Sequence, residues 1–166
     1  MPFNRKLHTF IEKIIIMNQF NILRQSRKLI LKIIDGYSIE QLNFIPNGFK
    51  NNIAWNVAHL IVTQQLICYN LSGLPMHVTK EMVNLYKKGT APEKEISSLE
   101  FEKIKEQFIS IVDQFEKDYK EGIFKDFNEY TTSVNVTLSD IDSAIAFNDY
   151  HEGIHLGIIL SLRKLV

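Results

Sequence analysis

Residues 51–73 read NNIAWNVAHLIVTQQLICYNLSG. No glycine or proline interrupts them before Gly73, and apolar residues recur three and four apart, which is the spacing of a helix. Trp55, Val62, Leu66 and Tyr69 form one stripe, while Ile53, Val57, Leu60, Ile61 and Leu71 widen it around the helix. A helix that is apolar nearly all round has to be covered by more than one neighbour. Asn51 or Asn52 is suited to cap its start, and Ser72–Gly73 to end it.

The flanking sequence supplies those neighbours. From Arg5 to Asp35, Leu7, Phe10, Ile11, Ile14, Phe20, Leu23, Ile30, Ile33 and Ile34 repeat at helical spacing, and Gly36 follows as a stop. Ser38–Lys50 reads as a turn region punctuated by Pro46 and Gly48. Ser97 with Glu100 makes a capping box for a third helix reaching Gly122, with Leu99, Ile104, Phe108, Ile111, Val112 and Phe115 on its apolar face. A fourth helix is expected after a cap at Thr137 or Ser139, ending near Arg163. The connections are long. Residues 74–97 hold Pro75, Gly89, Pro92 and a short helix at Thr79–Lys87, and residues 123–138 hold an extended piece with no evident partner. No two period-2 runs are joined by a hairpin turn, so the expected fold is all-α, a four-helix bundle with long connections in a single domain over 1–166.

Composition narrows the function. Nineteen basic residues balance nineteen acidic ones among 166, which argues against a nucleic-acid binder held by a basic surface. The lone Cys68 excludes an intramolecular disulfide framework and suits a reducing compartment. Glu12 and Lys13 break the N-terminal apolar run, and no uncharged apolar window is long enough to span a bilayer, so neither a secretory signal nor a membrane helix is expected. The expected location is the cytoplasm.

The five histidines carry the chemistry, at positions 8, 59, 77, 151 and 155. His151 and His155 lie four apart in His-Glu-Gly-Ile-His on the fourth helix, so both rings leave one face about 40° apart. Ala144 and Leu162 share that face, which points it into the bundle. The string also matches the zincin motif HExxH, but Leu156–Val166 contains no further His, Cys, Asp or Glu to complete such a site, and the extended-motif position is Ser161. A third ligand must therefore come from upstream. His59 shares its face with Trp55, Val62, Thr63 and Leu66 and is the best placed. Three imidazoles with one open position are the pattern of a catalytic metal site. The competing reading is three core histidines that are merely hydrogen-bonded. Glu152 points about 100° away from His151 and reads as a base, a partner behind the ligands or a solvated charge. Asn148, one turn before His151, is a candidate to orient a ligand. Cys68 reads as a small buried residue, Tyr150 and Thr63 as pocket or core, and His8 and His77 as surface residues. Gly153 and Gly157 on the back of the fourth helix suggest close approach of another helix, from this chain or a second subunit.

The stretches Asn51-Asn52-Ile53-Ala54-Trp55-Asn56-Val57-Ala58-His59 and His151-Glu152-Gly153-Ile154-His155-Leu156-Gly157, together with Ser38-Ile39-Glu40-Gln41-Leu42-Asn43 leading to Pro46 and Gly48, resemble the DinB/YfiT-like superfamily of small four-helix-bundle metalloproteins over nearly the whole chain. The resemblance implies a metal triad at His59, His151 and His155, all intact here. It also implies a homodimer and a small-molecule substrate. The reaction it points to is transfer of a low-molecular-weight thiol such as bacillithiol to an electrophile by a divalent-metal-dependent transferase, with hydrolases among the alternatives. The residues by themselves leave a non-catalytic metal- or ligand-binding bundle open. Imidazole suits Zn, Ni, Fe and Cu alike, so the ion is not named by its ligands.

Overall fold

The computed structural model describes residues 2–166, with side chains at Ile16 and from Asn18 onward. His8 and the stripe residues Leu7, Phe10, Ile11 and Ile14 lie outside the described side chains. The elements in order are α1 (Pro2–Ile33), α2 (Ile39–Asn43), α3 (Ile53–Gln64), a π-helix (Gln65–Asn70), α4 (Lys80–Tyr86), α5 (Ser98–Glu121), β1 (Tyr130–Thr131), β2 (Thr137–Leu138) and α6 (Ile141–Leu162). The fold is all-α, and its bundle consists of α1, α3 with its π extension, α5 and α6. Helices α1 and α3 each pack against both α5 and α6.

Local sequence explains most boundaries. Asn52 caps α3 by accepting the Trp55 N–H at 2.8 Å. Thr79 caps α4, and the Ser97–Glu100 box starts α5, which stops at Gly122 in the left-handed region (φ 69°). Every residue of α3 except Thr63 is buried, and the cover comes from within the chain: α5, α6, α4 and α2 all pack on it. Its doubly apolar character therefore needs no second subunit.

Several expectations are corrected. The turn region after α1 contains a helical turn, α2, closed by a capping box between Ser38 and Gln41. The second long helix does not run as one α-helix to Ser72: after Gln64 its hydrogen bonds widen to the π pattern, with Leu71 N–H reaching Leu66 C=O at 3.2 Å. The extended piece after α5 does have a partner, because Tyr130–Thr131 pairs antiparallel with Thr137–Leu138 around a turn in which Asn135 takes φ 62°. The cap of α6 is Asp140, not Ser139 or Thr137; its carboxylate accepts the Ser143 N–H at 2.7 Å. Gly153 and Gly157 are exposed, and a Cβ added at either would meet nothing within 4 Å, so among the described residues no helix approaches them closely.

The core has two apolar halves. One is built on Ile30, Leu60, Ile61, Phe108, Ile111 and Ile159, the other on Phe20, Leu23, Cys68, Val112, Phe115 and Ile145. Buried polar residues separate them along three of the four long helices: Arg27 between Leu23 and Ile30, Gln64 between Ile61 and Ile67, and Asn148 with Glu152 between Ile145 and Ile159. The histidine pair of α6 lies at this level.

Candidate metal centre

Helix α3 contributes His59 and α6 contributes His151 and His155, and one ring nitrogen from each lies within 4.8 Å of the other two. The spacing that placed two rings on one face of α6 and the packing of α3 on α6 together assemble the cluster. The ring centroids are 4.5–5.2 Å apart.

Hydrogen bonds behind the rings fix which nitrogens face inward. His59 Nδ1 is 2.6 Å from the Tyr86 carbonyl, which only accepts, so Nδ1 carries the proton and Nε2 presents a lone pair. His155 Nδ1 is 2.7 Å from Asn56 Oδ1. The Asn56 amide is itself oriented because its Nδ2 donates to the Asn52 carbonyl at 2.7 Å, which leaves Oδ1 as the acceptor toward His155. The Trp55 ring stacks on His59 at 4.5 Å and 12°, holding the imidazole plane. His59 Nε2 and His151 Nε2 stand 3.4 Å apart, and the buried Nδ1 of His151 has no hydrogen-bond partner among the described residues.

All three rings are kept neutral. Burial pushes His151 down to about 3, helped by His155 and His59, and His155 down to about 4, helped by His59. Burial also lowers His59, opposed by its bond to the Tyr86 carbonyl. Neutral imidazoles with converging lone pairs are the form that binds a cation. Metal–nitrogen bonds of about 2.0–2.1 Å at tetrahedral angles put ligand nitrogens about 3.4 Å apart. The His59–His151 separation of 3.4 Å meets that requirement without rearrangement. The donor set therefore fits a divalent ion.

The cluster forms part of the wall of a cavity of about 670 Å³, which Thr63 and Tyr150 also line. Thr63 Oγ1 lies 3.2 Å from His59 Nε2. Three protein ligands beside an open cavity leave room for a further ligand from solution.

Glu152 is placed elsewhere. It does not line the cavity, and it is not a solvated charge: it is 1% exposed, with its carboxylate bound to Arg27 Nη2 at 2.7 Å and Nε at 3.1 Å. Arg27, fully buried on α1, also donates to the carbonyls of Phe108 on α5 (2.9 Å) and Leu60 on α3 (3.4 Å). Asn148 is buried beside Glu152 rather than hydrogen-bonded to a ring. The orienting amide is Asn56, one helical turn before the Leu60 that follows His59. Neither Asn56 nor Arg27 is among the site residues expected from the sequence. The signal for Arg27 was a charge on the apolar stripe between Leu23 and Ile30. Cys68 is fully buried and its thiol is pushed up by burial, so it is not a nucleophile. His77 lies apart from the cluster, half exposed, 3.4 Å from Asp118 and edge-on to Tyr69.

The sequence model of the DinB superfamily matches residues 22–159 of this chain, a span that takes in all three histidines, Asn56, Arg27 and Glu152. No curated protein matches it.

Proposed function

We propose that this chain, which belongs to the DinB superfamily, is a metal-dependent transferase that joins a low-molecular-weight thiol to an electrophilic substrate. The observation that supports this reading is the convergence of three neutral imidazoles on the wall of an open cavity. A divalent ion held by His59, His151 and His155 would supply Lewis acidity that lowers the pKa of an incoming thiol. The protein's own residues do the rest. Asn56 and the Tyr86 carbonyl hold the protons on Nδ1 of His155 and His59 and so keep both Nε2 atoms available. Trp55 fixes the plane of His59. Thr63 places a hydroxyl beside the ligands. No cysteine joins the cluster among the described residues, so the sulfur has to come from the substrate.

The test starts with metal analysis of protein purified without an affinity tag, and continues with the Co(II)-loaded form. The expected results are one ion per chain, its loss in His151→Ala, and a new sulfur-to-cobalt absorption when a small thiol such as 2-mercaptoethanol is added. Tight metal binding with no spectral response to any thiol would instead favour a non-catalytic metal-binding bundle. A hydrolase would turn over an ester panel in a metal-dependent way without thiol.

A reducing, cytoplasmic setting and a homodimer complete the proposal. The exposed uncharged face of α6 around Gly153 and Gly157 is the surface on which a second copy would pack. Light scattering that returned only the 19.3 kDa chain would remove the dimer from the reading.

A further inference from the structure

The cavity beside the histidines differs from the chain as a whole in its charge. Acidic and basic residues balance at nineteen each overall, yet Lys50 and Lys88 line this cavity and no aspartate or glutamate among the described residues does. The same cavity has an extended apolar wall, made by Leu66, Ile67 and Leu71 from the end of the second long helix and by Phe147 from α6, with Val134 from the β-turn.

One of the two lysines, Lys88, is tied to the metal centre through Trp55. Lys50 stands two residues before the cap of α3 and lines the same cavity as Trp55. Lys88 stands in the turn after α4, and that turn is pinned: Thr90 Oγ1 bonds the Leu85 carbonyl at 2.7 Å, while Trp55 Nε1 donates toward Leu85 O and Thr90 Oγ1 at 3.3 Å each. Gly89 takes φ 90° to make the bend. One face of the Trp55 ring lies on His59 and its edge holds the segment that carries Lys88. Positive charge thus comes from the start of α3 and from the turn bonded to Trp55, and apolar surface from the π-helix end.

We infer that this cavity selects small organic anions: an acidic group, a carboxylate or a phosphate ester, seats at Lys50 and Lys88, the apolar body lies along Leu66, Ile67, Leu71 and Phe147, and the reacting end reaches the histidines. The inference rests on reading this cavity as the substrate site. Two lysine charges, uncompensated by any carboxylate in the wall, favour an anion over its neutral isostere and do so most at low ionic strength. Lysine acts as a point charge and does not impose the planar geometry that arginine would, so carboxylate and phosphate ester share the subsite.

The experiment uses the full-length protein without metal, so that a carboxylate cannot gain affinity by ligating an ion. Binding of 3-phenylpropionate, 2-phenylethyl phosphate and neutral 3-phenylpropanol is measured by NMR titration at 20 and 300 mM NaCl. The expected result is a preference for the anions of about tenfold or more at low salt. It should shrink at high salt and disappear in Lys50→Gln/Lys88→Gln, while the affinity for the alcohol is unchanged. Both lysines are exposed, so the variant keeps the fold. The ratio between the two anions shows which acidic group the subsite prefers. Equal affinity for anion and alcohol, a preference that survives in the double variant, or no binding of either anion at millimolar concentration overturns the inference. Failure of the thiol-transfer reading shows up separately, as absence of metal or of a thiol response in the Co(II)-loaded protein.

Discussion

His151 and Glu152 are neighbours on α6, yet each belongs to a different kind of polar cluster. His151 joins His59 and His155 in a group of neutral rings beside a cavity, with one Nδ1 unpartnered among the described residues and two Nε2 atoms facing each other at 3.4 Å. Glu152 joins Arg27 in an ion pair closed off from solvent, 1% and 0% exposed, anchored to main-chain carbonyls of α3 and α5. The first cluster leaves bonding capacity unspent where a ligand can reach it. In the second, Arg27 spends most of its donors inside the protein, on Glu152 Oε1 and two main-chain carbonyls, and so links α1, α3, α5 and α6 at the level of the three histidines, while Glu152 Oε2 is buried without a partner among the described residues. The difference separates binding from holding: a motif that reads His-Glu-x-x-His on one helix divides its two chemistries between different faces.

The largest effect should come from breaking the sealed pair. Arg27→Met leaves the Glu152 carboxylate buried without a partner, a change that typically costs about 3–5 kcal/mol. For a chain of this length that corresponds to a fall in Tm of roughly 6–20 °C. Arg27→Met with Glu152→Leu should recover most of the loss, because an apolar pair of similar volume carries no stranded charge. Urea titrations of the two variants measure this. Equal destabilisation in both would show that the pair is not energetically coupled. His151→Ala should invert the pattern, leaving the fold nearly as stable and removing the metal.

Acid should pull the two clusters in opposite directions in the metal-free protein. Burial holds His151 and His155 at about 3 and 4 in the fold, whereas an unfolded chain binds protons at histidine near 6.5. The unfolded state therefore takes up more protons, and this term lowers stability as pH falls from about 6.5 toward 4. Asp149 behaves conversely. Burial, reinforced by Glu152 and opposed by Arg27, raises it to about 7, so the folded state holds a proton that an unfolded aspartate releases near 3.8. That term raises stability as pH falls from about 7 toward 4, and Glu152, also raised by burial, acts in the same sense. Each group contributes at most about 1.4 kcal/mol per pH unit. Asp149→Asn removes one opposing term and should steepen the acid loss between pH 6.5 and 4.5 by up to that amount. An unchanged slope in denaturant titrations across this range would place the Asp149 carboxyl in an ordinary, solvated setting.

A smaller and more local effect belongs to the histidine cluster alone. Asn56 orients His155 through one hydrogen bond and is itself oriented by the Asn52 carbonyl. Losing a partner of this kind typically weakens metal binding about 10–100-fold. Asn56→Ala should do so, read by competition with a chelator, whereas Arg27→Met with Glu152→Leu should change the affinity much less. If the double variant weakens the metal as strongly as Asn56→Ala does, the sealed pair also sets the spacing of the ligands.

Much of this organisation is legible in the sequence, because it rests on periodicity and local caps. The four long helices, the Ser97–Glu100 box, the stop at Gly122 and the common face of His151 and His155 all follow from residues a few positions apart. What escapes is set by contacts distant in the chain. Glu152 looks like an exposed charge until Arg27, 125 residues earlier, is brought against it. Asn56 looks like one amide among several until its oxygen meets His155 across the α3–α6 interface. The change to a π-helix at Gln65 leaves no mark in a pattern that is apolar nearly all round, because no single stripe fixes the winding. The β1–β2 pair is two residues long on each strand, too short to show alternation.

The smallest expected effect tests whether the ring beside His59 serves the metal or the cavity rim. Trp55→Phe keeps an aromatic face against His59 but loses the Nε1 donor to Leu85 O and Thr90 Oγ1. Both bonds are 3.3 Å long and partly buried, so their joint loss should cost about 1 kcal/mol. Metal affinity should change by no more than a few fold, because the Tyr86 carbonyl still holds the proton on His59 Nδ1. The anion preference should fall further than the metal affinity, since the segment carrying Lys88 loses its tie to α3 while the imidazole keeps its own. A fall in metal affinity as large as that in Asn56→Ala would reverse this assignment and make the stacked ring, rather than the carbonyl, the group that orients His59.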